Sequence, residues 1–403
     1  MSSTLPRRTY LYFTAQSINL TTAVMSVTMA AIVGSALAPS ISLSTVPYGF
    51  QFLFLMLATY PVSRLMSRIG RKKAFMLGAI PLLISGLSGF WAVEHEHFPM
   101  LVVSHAALGI YIAFANFNRF AATDNLDRTL KPKAISLVVA GGVIAAVVGP
   151  TLTGVLRDLG GYAMFSLCYA SFVGLAFLSL LIASCLPDDH VVTGAVQPNA
   201  REEVNRARPL SSSVTIAMTV SALGYGIMNL LMIQASMHME HMHEDFSNVR
   251  LAIQWHVIAM FAPSFFTGAI IDRLGIKLTV CAGLIMLAGC AAINIVAHTY
   301  AMMTLSLVIL GLGWNLTYVG GGAMLAQALE GNPHVFQMQG KNDLAIAVCA
   351  TMGAFTPSLL LSAIGWDGTN VLCMCLSIIL LLVTLWLLNG KPQAGCFTDG
   401  AHQ

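Results

Sequence analysis

Charge is what this sequence lacks. Asp, Glu, Lys and Arg make up only 9% of its 403 residues, against about 25% in an ordinary soluble chain, while 57% are hydrophobic. A polar shell cannot be assembled from so little, so a water-soluble globule is excluded and most of the surface must face lipid. The net charge of +3 gives nucleic-acid binding no basic tract. No cleavable leader is expected either: Met1 to Arg8 runs straight into an apolar stretch longer than a signal-peptide core, with no obvious cleavage site. The cysteines do not form a staple set. Cys168, Cys185, Cys281, Cys290, Cys349, Cys373, Cys375 and Cys396 lie mostly inside apolar runs and read as reduced packing residues. No nucleophile, base and oxyanion set can be picked out, so an enzyme is not expected.

Long apolar runs are what is present. With about 20 residues per crossing, the pattern supplies twelve, at 10–38, 48–66, 74–93, 100–122, 134–155, 162–186, 211–236, 249–271, 278–298, 300–322, 342–363 and 369–389. An even count puts both ends on one side. If that side is the cytoplasm, all basic residues except Arg157 and Arg250 lie inside, the bias expected of an inner-membrane protein with cytoplasmic termini. The longest hydrophilic break falls between the sixth and seventh spans. It divides an N-terminal six-helix bundle (1–186) from a cytoplasmic linker (187–210) and a C-terminal six-helix bundle with a short tail (211–403).

The halves echo one another. Ser67-Arg68-Ile69-Gly70-Arg71-Lys72 follows span 2, and Asp272-Arg273-Leu274-Gly275-Ile276-Lys277 follows span 8. Pro150 and Gly154 in span 5 have Pro357 and Leu361 as counterparts in span 11. Parallel six-helix repeats with a basic turn after the second helix of each resemble the major facilitator superfamily of secondary transporters. That resemblance implies an all-α integral membrane protein of twelve transmembrane helices in two bundles, working as a monomer. Gly268, Asp272, Arg273, Gly275 and Lys277 keep most of the family's loop motif. In the first half Ser63 and Ser67 replace its glycine and aspartate, which implies a weaker charge latch there. His105, four residues before Gly109, stands where the family often carries an arginine, and Gly149-Pro150 fits its fifth-helix motif.

Such a fold binds cargo near the midplane, between the halves. No Asp or Glu falls mid-span; Asp124, Glu330 and Asp343 are placed at span ends, as is Arg119. This argues against a proton-coupled drug pump with an intramembrane carboxylate. Sulfur and imidazole are present instead. Met228 and Met232 share one face of span 7, His256 and Met260 one face of span 8, and Met25 and Met29 repeat the spacing in span 1. Thioethers with an imidazole form a soft donor set suited to Cu(I), whereas Mg²⁺ or Ca²⁺ would need oxygen ligands that are missing. Methionine at helical spacing is equally what a packed core uses, and a buried histidine can be satisfied structurally. Outside, between spans 7 and 8, the chain reads Met237-His238-Met239-Glu240-His241-Met242-His243-Glu244-Asp245, and Glu94-His95-Glu96-His97 joins spans 3 and 4. His- and Met-rich tracts signal metal capture, with a solvated acidic loop as the plainer alternative.

The paired Met-x-x-x-Met and His-x-x-x-Met are similar to the motifs of the CcoA-type copper importers within that superfamily. Gly313-Trp314-Asn315 with Gly320-Gly321-Gly322, and Gln339 to Asp343, resemble the wider CcoA-like group. The resemblance implies import of copper as transported substrate, without a cofactor, by alternating access across the inner membrane for assembly of cbb3-type cytochrome oxidase. By the same resemblance Met228, Met232, His256 and Met260 hold the copper. Met237, His238, Met239, His241, Met242, His243, Met25, Met29 and His105 are then capture or relay positions, and cytoplasmic copper carriers are partners. Relatives in the wider group move other cargo, including riboflavin. The competing expectation is therefore a transporter of a small organic solute, flavin-like or a drug, using Trp314, Asn315, Tyr318, Gln16 and Asn19.

Overall fold

Lipid leaves each crossing segment to satisfy its own backbone, so the chain builds helices. The computed structural model describes residues 5–40, 43, 46–187 and 212–389, and these contain fourteen α-helices and no strand. They are α1 (Arg7–Leu37), α2 (Val46–Ile69), α3 (Arg71–Glu94), α4 (Phe98–Ala115), α5 (Asn118–Ala121), α6 (Lys131–Leu156), α7 (Ser166–Ser184), α8 (Ser212–His241), α9 (Phe246–Phe261), α10 (Ser264–Leu274), α11 (Ile276–Val296), α12 (Tyr300–Ala328), α13 (Val335–Phe355) and α14 (Pro357–Asn389). By length and hydropathy, eight crossings qualify outright. α9 and α10, bent by 44° where Pro263 interrupts them, make a ninth. α1, α2 and α13, each at least 21 residues long, bring the count to twelve. Gly365 (φ 71°) breaks α14, so the twelfth crossing starts beyond it.

The internal repeat is structural. α1 packs along α6, α2 along α4, and α3 along α4 and α7; α8 along α13, α9 along α12, and α11 along α12 and α14 repeat the same pairings. Each echoed basic turn pivots on a glycine. Gly70 (φ 84°) and Gly275 (φ 83°) end one helix and begin the next in a backbone conformation that a side chain would strain. The two sets of helices meet along α2 with α13, and along α6 with α9, α10 and α12.

At the end carrying the basic turns, the seam is closed by polar contacts. Arg71, on α3, pairs with Asp124 (2.6 Å) and donates to Gln339 of α13 (3.1 Å). Ser63 donates to the Phe336 carbonyl (2.9 Å), Lys133 pairs with Asp272 (2.7 Å), and Lys131 pairs with Glu330 (3.4 Å). At the positions where Ser63 and Ser67 replace the motif's glycine and aspartate, Ser63 makes a neutral bond across the seam and the Arg71 carboxylate partner is Asp124 of the same half. The expected linker, apart from Pro187, and residues 390–403 of the tail, with Cys396, lie outside the described residues.

Candidate functional site

The Met and His positions come first, because the sequence singles them out. Met228 and Met260 are buried and Met232 is half-buried. His256 is 0% exposed and its Nδ1 lies 2.7 Å from the Leu307 carbonyl of α12. A carbonyl only accepts, so Nδ1 carries the proton and Nε2 keeps its lone pair. That Nε2 has no hydrogen-bond partner, and no thioether sulfur is bonded to it. Met228 lies on the stripe of α8 whose Ser221 and Gly224 press on Gly321 and Thr317 of α12. The two pairs thus approach α12 from separate helices. Among the described residues, no three His, Cys, Asp or Glu side chains are placed to hold a metal ion.

The capture and relay positions fare differently. Met25 and Met29 are fully buried core residues. His105 has both nitrogens engaged: Nδ1 with Gln51 Oε1 (3.2 Å) and Ser26 (3.4 Å), Nε2 with the Tyr169 hydroxyl (3.0 Å). It is a structural histidine in this state, since neither lone pair is open to a metal. The outer tract begins as helix, because α8 continues through His241, and only its last four residues, 242–245, form a loop. Met239 is buried, Met237 and Met242 are half-buried, and His243 is exposed at φ 59°. His238 stacks on Trp366 at 4.3 Å. The side chain of His241 lies outside the described residues. In the other tract His95 stacks on Trp91, and His97 caps α4 by accepting the Met100 amide (3.2 Å), a structural use of both.

The seam holds a site that span arithmetic had dismissed. Arg119, on the single turn α5, is 2% exposed and ion-pairs with Asp343 of α13, itself 5% exposed. Counting from Val335, Asp343 stands eight residues into its helix, roughly 12 Å and one turn beyond the Gln339 that meets Arg71, so it lies within the seam between the helices. The Arg119 guanidinium lies 4.1 Å over the Tyr318 ring. Tyr318 stacks on Trp314 (4.6 Å), and Tyr225 and Phe261 meet Trp314 edge-on at 5.8 and 5.5 Å. From the first half, Asn118 donates to Gln16 (3.4 Å), and Asn19 to Asn116 (3.4 Å). Asn315 departs from the expected cavity set. It bonds the Met260 carbonyl (2.6 Å), Ser264 and Thr267, stitching α12 to the break between α9 and α10.

Polar satisfaction is incomplete here. Asn19 Oδ1, Arg119 Nε and Nη1, Trp314 Nε1, Asn342 Oδ1 and Asp343 Oδ2 are all buried without a hydrogen-bond partner. Buried polar groups are ordinarily paired, and an orphan costs about 1–3 kcal/mol. Five of the six belong to Arg119, Asp343, Asn342 and Trp314, which are joined through the Arg119–Asp343 pair and the Arg119–Tyr318–Trp314 stack.

A dozen helices in two matching sets, meeting over a polar and aromatic seam, define a secondary transporter. The Major Facilitator Superfamily model matches residues 11–249 and again 214–401, and the chain belongs to that superfamily. It is a multi-pass membrane transporter and not an enzyme. The riboflavin transporter RfnT of Brucella anthropi is 31% identical over 397 residues, covering 97% of this chain and 98% of its own. Among solved structures, the human organic anion transporter MFSD10 superposes with a TM-score of 0.76 at 13% identity, over 94% of this chain and all of the other. A bacterial homologue of the iron transporter ferroportin, outward-facing with soaked iron, gives 0.69 at 12% identity, over 96% and 100%. At such identities these structures speak for the fold alone.

Proposed function

We propose that the chain carries a small, flat organic solute of the flavin class between its two halves. The observation that supports this most is the set of orphaned polar atoms around the Trp314–Tyr318 stack. A heteroaromatic ring offers a face to the indole and phenol, and carbonyl and imide edges to Arg119, Asn19 and the indole N–H. The likeness to RfnT over nearly the full length of both chains supports the same cargo class. On this reading the protein works as a monomer in the inner membrane. Both termini and the basic turns face the cytoplasm, and the Arg119–Asp343 contact opens when cargo is released inward. The test is growth of cells that cannot make riboflavin, supplied with low external riboflavin. Rescue by the intact chain and none by Trp314→Leu at equal membrane abundance is the expected result.

A second reading keeps copper as cargo, as the CcoA-like motifs imply. The observation in its favour is His256: its N–H is tied to a backbone carbonyl and its Nε2 is left open, which is how metal-binding imidazoles are commonly oriented. Met228, Met232 and Met260 would supply sulfur once α8 and α9 close on one another, and cytoplasmic copper carriers would receive the ion. Copper uptake lost in His256→Ala, with riboflavin transport absent throughout, would favour it.

A further inference from the structure

The outer wall of the first half carries a groove that neither cargo reading uses. α3 and α7 touch closely at the end away from the basic turns. A Cβ on Gly89 would stand 2.2 Å from the Tyr169 ring, and one on Gly86 2.9 Å from the Val173 backbone nitrogen. Nearer the basic end a cavity of about 520 Å³ lies between the two helices, walled by Met76, Ile80, Leu83, Ala176 and Phe177 and lined by apolar residues except for Lys73. Ile80 and Phe177 are 51% and 61% exposed, so the cavity faces the surrounding lipid and not the transport route. From Lys73 to Leu83 the helix rises roughly 15 Å, half of a ~30 Å hydrocarbon core and therefore the depth of one leaflet. Lys73 is exposed, and no described carboxylate pairs with it.

We infer that this groove is a binding site for a single phospholipid with a net negative headgroup, drawn from the leaflet at the basic end. One acyl chain lies between α3 and α7, and the phosphate meets the Lys73 ammonium. Charge complementarity selects the occupant. A zwitterionic lipid fills the groove as well but gains less from Lys73 and the neighbouring exposed Arg68.

The experiment uses the full chain in nanodiscs of equal phosphatidylglycerol and phosphatidylcholine, then extraction into mild detergent and native mass spectrometry of the lipid still bound. The intact protein should retain phosphatidylglycerol in preference to phosphatidylcholine. Lys73→Gln, at an exposed position, should lower that preference roughly fivefold, the worth of one basic residue near a membrane surface. Ile80→Trp, which fills the groove from the lipid side, should remove both lipids while its melting temperature in lipid-free detergent stays that of the intact chain. Equal retention of the two lipids by the intact protein, or unchanged phosphatidylglycerol retention in Lys73→Gln, would overturn the assignment.

Discussion

Two buried histidines, His105 in the first half and His256 in the second, are used in opposite ways. His105 sits in a closed network with Ser26, Gln51 and Tyr169 in which every ring nitrogen has a partner. His256 is anchored through one nitrogen and open at the other, and the Arg119–Asp343 seam elsewhere between the halves likewise holds buried polar atoms without partners. The contrast separates two uses of polarity inside a membrane protein. Satisfied groups fix helices relative to one another, whereas unsatisfied ones lower stability unless a ligand or an alternative conformation completes them.

The largest expected effect lies at the seam. Asp343→Ala leaves Arg119 buried without its counter-ion, and removal of one partner from such a pair costs about 3–5 kcal/mol, read as a lower melting temperature of the purified protein. Arg119→Leu with Asp343→Leu should restore much of that loss and still abolish transport, which would separate the structural from the functional share of the pair. His105→Ala should cost about 1–3 kcal/mol of stability, because Gln51 and Tyr169 lose their partner, with KM for the cargo unchanged in the protein that folds. Trp314→Leu should act on the cargo as well as the fold: besides about 3 kcal/mol lost with a buried ring, KM for riboflavin rises about tenfold in the protein that folds, with Trp314→Phe recovering most of both. The smallest effect is at the outer rim, where Trp366→Leu removes the stack with His238 and should change stability by about 1 kcal/mol or less. A shift in KM from His105→Ala, or none from Trp314→Leu, would erase the distinction between the two regions.

Much of this architecture was legible in the sequence. Twelve apolar runs and the basic turns around Gly70 and Gly275 follow from spacing and composition, and the superfamily from the resemblance that those turns carry. The Arg119–Asp343 pair was not. A hydropathy search begins the eleventh span near 342 because Gln337, Gln339 and Lys341 depress the average, yet the helix starts at Val335 and carries Asp343 well inside. Hydropathy cannot tell a polar residue that faces a partner helix from one that ends a span. Arg119 is hidden for a related reason, since it sits in the last turn of a crossing that runs on through Ala121, with its neighbours Asn118, Phe120 and Ala121 buried beside it. A signal did exist: Arg119 and Asp343 are one cation and one anion at the same end of equivalent bundles, and lipid leaves neither an alternative partner. The outer Met–His tract misled in another way. Its composition suggests a loop, but α8 extends through His241, where Met239 is buried and His238 is spent on the stack with Trp366.

The central claim is that the seam around Trp314, and not the open imidazole, meets the cargo. Purified protein in proteoliposomes, offered labelled riboflavin and labelled copper in parallel, tests it directly with Trp314→Leu and His256→Ala beside the intact chain. The account predicts riboflavin uptake by the intact chain, lost in Trp314→Leu and within about twofold of intact in His256→Ala. Copper accumulation that requires His256, with no riboflavin uptake by the intact protein, would contradict it.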